Sequence, residues 1–238
     1  MWRRSLRRAY NAARKLAAGV SLFGESASPL VPNDLFQAHA SIYHFFGRYA
    51  AGRDVLEIGC GTGYGAAILR ARGARSVVAI DTHRGNLRYA RRQNADEHVQ
   101  FREADAAHLP DDIGRFELVV SSNVFEHLRD VGAAIAGVRR LLKEGGTFIL
   151  AVPPILDERA LEDNRRNPYH LTNLYAGQWR DFLARTFADV TPFAHLAPEG
   201  ARLDFGDPFP SQVWPESFRF VAAPLDQFAI TAVFVCHG

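Results

Sequence analysis

Three carboxylates in this chain stand close to the ends of short apolar runs. Glu57 lies within one such run, Asp81 directly follows the next, and Asp105 stands just beyond the third. A carboxylate accepts hydrogen bonds from hydroxyl and amino groups, and it attracts cations. If the runs are parallel strands, their carboxyl ends share one edge of the sheet, which is where such sheets bind ligands. The three acids therefore predict a site for a ligand that carries hydroxyl groups, amino groups or positive charge.

A turn with almost no side chains follows the first of these runs. It reads Gly-Cys-Gly-Thr-Gly and precedes a predicted helix that starts near Tyr64. Glycine allows positive φ angles and lets the backbone approach a ligand closely. The free N–H groups at the start of the helix point into the same gap. The turn predicts a nucleotide-like ligand. The expected contacts are Gly59, Cys60, Gly61, Thr62 and Gly63.

Two kinds of ligand fit such a turn, and Glu57 separates them. The spacing Gly61-x-Gly63-x-x-Ala66 matches the dinucleotide fingerprint. A dinucleotide brings a pyrophosphate, which a carboxylate at the lip of the turn would repel. S-adenosylmethionine has no phosphate and carries a sulfonium and an ammonium group, so an acidic lip suits it. No Tyr-x-x-x-Lys pair supports the oxidoreductase alternative.

Residues 55–63, which read Val-Leu-Glu-Ile-Gly-Cys-Gly-Thr-Gly, resemble the first motif of the class I S-adenosylmethionine-dependent methyltransferases. The resemblance implies S-adenosylmethionine as the cofactor, with Asp81 at its ribose and Asp105 at its adenine. Further contacts are expected beside these acids and at the end of the fourth predicted strand, which should face the methyl group. These further contacts are Thr82, Ala106 and Ser122, together with Glu57.

Two histidines are candidates for catalysis. Residues 123–127 resemble a family segment that reads acid-hydrophobic-x-Glu-His, and here they end in Glu126 and His127. The run Asn-Pro-Tyr-His, which ends at His170, resembles a segment of bacterial methyltransferases that modify sugars, lipid-linked glycans and related small molecules. His170 or His127 could take a proton from a hydroxyl acceptor as a general base. Fixing the loops through hydrogen bonds is the alternative role for each.

A divalent cation is a further alternative at the same place. In some relatives two acids and two histidines hold such an ion, and Glu126, His127 and His170 could do so here. Because Asn123 replaces the first acid, we predict that no metal is used.

The hydrophobic pattern from residue 55 to residue 152 alternates between short strands and amphipathic helices. This alternation predicts an α/β fold with a doubly wound, mostly parallel sheet. The resemblance implies the seven-stranded, Rossmann-like sheet of class I methyltransferases. Residues 153–174 are predicted to form a polar loop beside the ligand edge. The predicted strands are 55–58, 76–80, 99–102, 116–120, 147–152, 188–193 and 228–235.

The chain is predicted to have two parts. Residues 1–50 form a basic helix and a helical cap, and residues 51–238 form the S-adenosylmethionine-binding domain. An insertion at about 192–224 is rich in proline and aromatic residues. It could line the acceptor site or form a homodimer contact. Tyr43 and His44, on the cap, are candidate acceptor contacts.

The formal net charge of +2 conceals a basic beginning, because residues 1–24 contain six basic residues and no acid. The acidic remainder argues against a nucleic-acid partner. Residues 2–20 form an amphipathic pattern that predicts a helix packed on the core or lying on a membrane surface. Two cysteines make no disulfide framework, and no apolar run reaches the ~18 residues that span a bilayer. We therefore expect a cytoplasmic protein.

The predicted reaction is methyl transfer from S-adenosylmethionine to an oxygen of a small-molecule or glycan acceptor. An amine or carbon acceptor stays open, because it needs no general base. A protein that binds S-adenosylmethionine without catalysis and an NAD(P)-dependent oxidoreductase are the alternative functions.

Overall fold

The structure is a computed structural model that describes residues 2–17, 27–222, 225 and 229–238. These residues form one mixed sheet with helices on both faces. The helices are α1 (Trp2–Ala17), α2 (Asp34–Phe46), α3 (Tyr64–Ala71), α4 (Arg84–Asn94), α5 (Val131–Leu141), α6 (Glu158–Arg165) and α7 (Ala176–Leu183). The strands are β1 (Asp54–Ile58), β2 (Ser76–Asp81), β3 (Val99–Glu103), β4 (Phe116–Ser122), β5 (Leu142–Val152), β6 (Asp189–Leu196), β7 (Arg219–Ala222) and β8 (Thr231–His237).

The strand order is β3-β2-β1-β4-β5-β8-β6-β7. The first five strands in this order pair in parallel, and β1 lies between β2 and β4. β8 runs antiparallel to both β5 and β6, and β7 runs antiparallel to β6. Because β2 and β3 lie on one side of β1 while β4 and β5 lie on the other, the strand order reverses between β1 and β4. A crevice forms at the carboxyl ends of strands at such a point.

Two apolar layers cover the two faces of the sheet. On β1, Val55 joins a cluster with α2, α3 and α4, while Leu56 and Ile58 join a cluster with α5 and α7. This split follows from the alternation of side chains along a strand. The predicted doubly wound α/β fold is confirmed.

A buried histidine ties α2 to the antiparallel part of the sheet. His195 on β6 bonds Ser41 Oγ at 2.9 Å and Thr231 Oγ1 at 3.3 Å, and its ring stacks on Phe220. Burial lowers the pKa of His195 to about 3, so this link is uncharged. It fixes α2 above the strand ends where the ligand crevice lies.

α1 packs on residues 206–208 and keeps part of its apolar stripe exposed. The buried Asn11 donates to Pro208 O at 2.9 Å. Tyr10 and Leu16 are 54% and 65% exposed, so the expectation that the stripe packs on the core is wrong for these two residues. Residues 18–20 of the predicted helix lie outside the described residues. No helix in the described part of the chain is long and apolar enough to cross a membrane.

Several boundaries differ from the prediction. The sheet has eight strands instead of seven, because part of the predicted 192–224 insertion forms β7 beside β6. The predicted polar loop 153–174 contains α6, which begins where Asp157 accepts a hydrogen bond from the N–H of Ala160. The last predicted strand begins at residue 228, which lies outside the described residues, and β8 begins at Thr231.

Candidate functional site

A cavity of about 390 Å³ opens at the carboxyl ends of β1, β2 and β4. Its walls are the glycine turn after β1, the ends of β2 and β4, the loop after β3 and one side of α2. Its volume lies in the range of ~300–1,000 Å³ that is usual for ligand sites. The predicted residues that line it are Gly59, Cys60, Gly61, Asp81, Thr82, Asp105, Ala106, Ser122 and His127.

The glycine turn needs its glycines for two different reasons. Gly59, Gly61 and Gly63 all have positive φ angles, of 79°, 51° and 79°. A Cβ on Gly59 would clash with a methyl carbon of Val124, so the turn packs tightly against the end of β4. A Cβ on Gly61 would meet nothing within 4 Å. The backbone at Gly61 therefore faces open space in the cavity wall, where a ligand can lie against it.

Asp81 connects the end of β2 to this turn. Its Oδ2 accepts from the N–H of Gly61 at 2.8 Å, and its Oδ1 accepts from the N–H of His83 at 2.7 Å. Each carboxylate oxygen has a second lone pair. The side chain can therefore fix the turn and still accept two hydrogen bonds from a ligand in the cavity.

Asp105 lies across the cavity from β1, in the loop after β3. Its Oδ1 accepts from the N–H of Ala107 at 2.9 Å and so begins a short 3₁₀ turn, Ala106–His108. This bond sets the direction of the carboxylate. Asp105 and Ala106 line the cavity beside each other, as the sequence predicts.

Glu57 does not form the predicted acidic lip. It is fully buried and is not among the described residues that line the cavity. Burial raises the pKa of Glu57 to about 8, although the neighbouring Tyr43 side chain and the backbone of Ala66 lower it in part. Its Oε1 would clash with a Cβ on Gly65, so the glycine leaves room for the carboxylate. The side chain supports the turn from behind, because strand alternation points it toward the layer of α2 and α3.

Thr62 and Gly63, at the end of the turn, face away from the cavity. Thr62 is 1% exposed, and a Cβ on Gly63 would clash with Phe101 and Ala90 at 2.7 and 2.8 Å. Neither residue is among the described residues that line the cavity. Cys60 lines it, but burial and nearby carboxylates raise the pKa of its thiol well above the usual value. A reactive thiolate is therefore not available.

Glu126, His127 and His170 come together at the end of β4. One ligand atom from each residue lies within 4.8 Å of the other two, and Glu126 is 1% exposed. The rings of His127 and His170 stand edge to face with centroids 5.1 Å apart. His127 lines the cavity, whereas His170 is buried beside it. Such a set could hold a cation or take up a proton.

Hydrogen bonds join the loop of His170 to the turn of His127. The backbone N–H of Thr172 donates to Glu126 O at 2.9 Å, and its hydroxyl donates to Leu128 O at 2.6 Å. His127 Nδ1 lies 2.9 Å from Tyr169 O. A carbonyl oxygen can only accept, so Nδ1 of His127 carries the hydrogen and Nε2 carries the lone pair.

The charge of the cavity distinguishes the two ligand classes. Asp81 and Asp105 line it, and no Lys or Arg is found among its described lining residues. A pyrophosphate would meet carboxylates without a compensating cation, whereas a sulfonium or ammonium group would be attracted. The two carboxylates and the open backbone at Gly61 therefore fit S-adenosylmethionine.

Comparisons of the sequence with known proteins indicate the same class of ligand. The sequence model of the family described as "Methyltransferase domain" matches residues 56–150. A probable S-adenosylmethionine-dependent methyltransferase of Mycolicibacterium smegmatis is 32% identical over 71% of this chain and 65% of its own length. These similarities identify residues 56–150 as a domain of the class I S-adenosylmethionine-dependent methyltransferases. S-adenosylmethionine is the cofactor of this family.

Two further proteins show the extent of the similarity. The ubiquinone biosynthesis O-methyltransferase of Pseudomonas aeruginosa is 34% identical over 42% of this chain and 44% of its own length. The structure of an S-adenosylmethionine-dependent methyltransferase of Thermotoga maritima has a TM-score of 0.63 at 16% identity, over 85% of this chain and 91% of that chain. The latter shows the fold alone. The chain spans less than two thirds of the length of both curated relatives.

Two residues of α2, His39 and Tyr43, also line the cavity and lie one turn apart. Of these, His39 is a residue that the sequence analysis did not assign to the site. Tyr43 was a candidate, but the other candidate on the cap, His44, instead contacts Arg72 and Glu216. Residues four apart lie on the same face of a helix, so the spacing of His39 and Tyr43 could have predicted that both face the site.

Asn123 is the second such residue. It lines the cavity with a φ of +54°, and its Oδ1 accepts from the Ser122 hydroxyl at 3.1 Å. Asparagine tolerates this left-handed conformation better than most residues do. The bend turns the chain from β4 toward Glu126 and His127.

Proposed function

We propose that this chain transfers a methyl group from S-adenosylmethionine to a hydroxyl oxygen of a small-molecule acceptor. One observation supports this most strongly. A single cavity is lined by Gly61 and Asp81 on one side and by Ser122 and His127, at the end of β4, on the other. A cofactor bound to the first set would present its methyl group to the second.

The proposed cofactor contacts follow from the donors and acceptors around the cavity. Asp81 accepts hydrogen bonds from both ribose hydroxyls with the lone pairs that the backbone leaves unused. Asp105 accepts from the adenine amino group. The backbone of Gly61 lies against the methionine portion. The remaining contacts are Gly59, Cys60, Thr82, Ala106 and Ser122, while Glu57, Thr62 and Gly63 shape the turn from behind.

The chain contributes alignment and a proton acceptor. S-adenosylmethionine, when bound, supplies a methyl group that its sulfonium sulfur has already activated. Aligning the acceptor oxygen with this methyl group is worth roughly 7–11 kcal/mol. As the O–C bond forms, the C–S bond breaks and its electron pair stays on sulfur. The hydroxyl proton passes to Nε2 of His127, which adds typically ~10²–10⁴-fold.

His127 is the proposed general base because it lines the cavity with its Nε2 lone pair available. His170 and Glu126 lie beside it and stabilise the imidazolium that forms. The sequence predicted either His170 or His127 as the candidate base. The proposal gives His170 the supporting role, because it is buried beside the cavity instead of lining it.

A small-molecule acceptor is supported by the size of the cavity and by the name of the Pseudomonas relative, an O-methyltransferase of ubiquinone biosynthesis. A glycan acceptor is supported by the Asn-Pro-Tyr-His resemblance alone.

Four further predictions rest on the sequence alone. They are membrane-surface contact, a homodimer, a cytoplasmic location and the division into residues 1–50 and 51–238.

Calorimetry followed by a methyl-transfer assay tests the proposal. We expect S-adenosylmethionine and S-adenosylhomocysteine to bind and NAD not to bind. With radiolabelled cofactor and a panel of hydroxylated and amine acceptors, we expect transfer to a hydroxyl compound. The His127→Ala variant should lose about 10²–10⁴-fold in kcat with its cofactor affinity kept. Binding without transfer to any acceptor would favour a non-catalytic binding protein.

A further inference from the structure

Three hydrogen bonds form a closed ring that begins and ends at His170. Asn173 Nδ2 donates to the backbone carbonyl of His170 at 2.9 Å. Asn164 Nδ2 donates to Asn173 Oδ1 at 2.7 Å. Asn164 Oδ1 lies 2.7 Å from Nδ1 of the His170 ring. The ring joins α6, the Asn-Pro-Tyr-His turn and the segment that enters α7.

The backbone carbonyl sets the direction of every bond in this ring. It can only accept, so Asn173 must present its NH₂ group to it and its Oδ1 to Asn164. Asn164 must then present its NH₂ group to Asn173 and its Oδ1 to the imidazole. Nδ1 of His170 therefore carries the hydrogen, and Nε2 carries the lone pair. A hydrogen bond to one ring nitrogen determines the tautomer in this way.

We propose that Asn164 and Asn173 are positioning residues that hold His170 in its Nδ1–H tautomer. The rings of His170 and His127 stand edge to face with centroids 5.1 Å apart, so the tautomer of His170 sets the direction of its ring dipole beside the proposed base. In the tautomer that the ring of hydrogen bonds sets, Nε2 of His170 presents a lone pair, which stabilises positive charge on the neighbouring His127. The opposite tautomer would present an N–H group there and oppose that charge.

The consequence for catalysis depends on the proposed function, but the tautomer itself does not.

The turn around His170 is also fixed by hydrogen bonds outside the ring. Asn167 Oδ1 accepts from the N–H of Tyr169 at 3.1 Å, and Asn167 O accepts from the N–H of His170 at 3.1 Å. Changing Asn164 should therefore alter the ring hydrogen of His170 more than the path of the backbone.

The first experiment is ¹⁵N NMR of the full chain with labelled histidine, without cofactor or acceptor. The His170→Asn variant assigns the His170 signals. We expect hydrogen on Nδ1 in the wild type and a shift toward Nε2–H in Asn164→Leu, which keeps the side-chain shape but accepts no hydrogen bond. The matched control is Asp163→Asn, an exposed change on the same helix, which should leave the signals unchanged. Hydrogen on Nε2 in the wild type would overturn the proposal, as would an unchanged tautomer in Asn164→Leu.

The second experiment is kinetic. Asn164→Leu should lower kcat by about 10-fold or more, within the ~10²–10⁴-fold that a general base supplies, while the Kd for S-adenosylmethionine stays the same. Asn164→Asp still accepts from Nδ1, so it should keep the Nδ1–H signal and recover most of the kcat. If Asn164→Leu does not fold, Asn173→Leu breaks the ring at its other end. An altered tautomer with unchanged kcat would refute the positioning role. A wild type without any turnover would refute the proposed function and leave the NMR result to decide the tautomer.

Discussion

Asp81 has a structural role in the glycine turn and a proposed role in binding the cofactor. It fixes the glycine turn through the N–H of Gly61 and faces the cavity with its remaining lone pairs. Its position directly after an apolar run made it predictable from the sequence, because the carboxyl end of a parallel strand is a ligand edge. The same argument applies to Asp105.

Replacing Asp81 with Ala should weaken S-adenosylmethionine binding by about 10- to 100-fold. The change removes a charged hydrogen-bond acceptor, worth about 1.5–3 kcal/mol. Isothermal titration calorimetry checks this, and Asp112→Ala, an exposed acid paired with Arg102, is the matched control. Equal affinities in the two variants would remove Asp81 from the cofactor site.

Glu57 shows where the sequence could not predict a residue's place. Its position in the strand was predicted correctly, but its burial depends on Tyr43 and Gly65, which come from two helices that cover it. A carboxylate beside a glycine turn does not show in the sequence whether helices from elsewhere in the chain will bury it. The predicted lip of the cavity is therefore formed by Asp81 and Asp105 instead.

The raised pKa of Glu57 predicts that the stability of the protein depends on pH. Since the folded state keeps this proton up to about pH 8 and the unfolded chain releases it near its ordinary value of 4.5, the free energy of unfolding falls as pH rises between these values. The loss is on the order of 5 kcal/mol at 1.36 kcal/mol for each unit of pKa. Urea unfolding from pH 5 to pH 8.5 should show this decline in the wild type relative to Glu57→Gln. Parallel curves would mean that Glu57 is already ionised when folded.

The cluster of Glu126, His127 and His170 supports a prediction about metals. Because the proposed proton transfer uses only these side chains, turnover should survive dialysis against EDTA, measured in the methyl-transfer assay before and after treatment. Activity that disappears and returns with Zn²⁺, Mn²⁺ or Mg²⁺ would reassign the three residues as metal ligands.

At the scale of elements, the turn between β1 and α3 determines the site. Gly59→Ala should destabilise the protein by about 1–3 kcal/mol from backbone strain alone, and by more through the clash with Val124. Gly52→Ala is the matched control, because Gly52 has a φ of 70° and free space around it. Thermal unfolding and cofactor titration of both variants measure the difference. Similar losses in both would mean that close packing of the turn against β4 does not matter.

α6 is a helix that the sequence analysis missed. Its eight residues are mostly polar, and Leu161 is the residue it buries, so no apolar stripe marks it. The capping signal was present, since Asp157 precedes it and accepts from the N–H of Ala160 at 2.7 Å. α6 holds Asn164, so missing the helix also concealed the ring of hydrogen bonds around His170.

At the scale of the whole molecule, the parallel half of the sheet was predictable and the antiparallel half was less so. Alternating strands and helices require crossover connections, which place β1 to β5 in one parallel sheet. β7 lies in a segment rich in proline, and its pairing with β6 has no comparable signal in the sequence. The site stands almost entirely on the parallel half, together with α2, and most of its lining residues could therefore be predicted.

The most direct test of the central claim is a crystal structure of the protein with S-adenosylhomocysteine. We predict the ribose hydroxyls on Asp81, the adenine beside Asp105, and the sulfur facing Ser122 and His127 at the end of β4. A ligand bound outside this cavity, or bound inside it with the sulfur turned away from His127, would contradict the account.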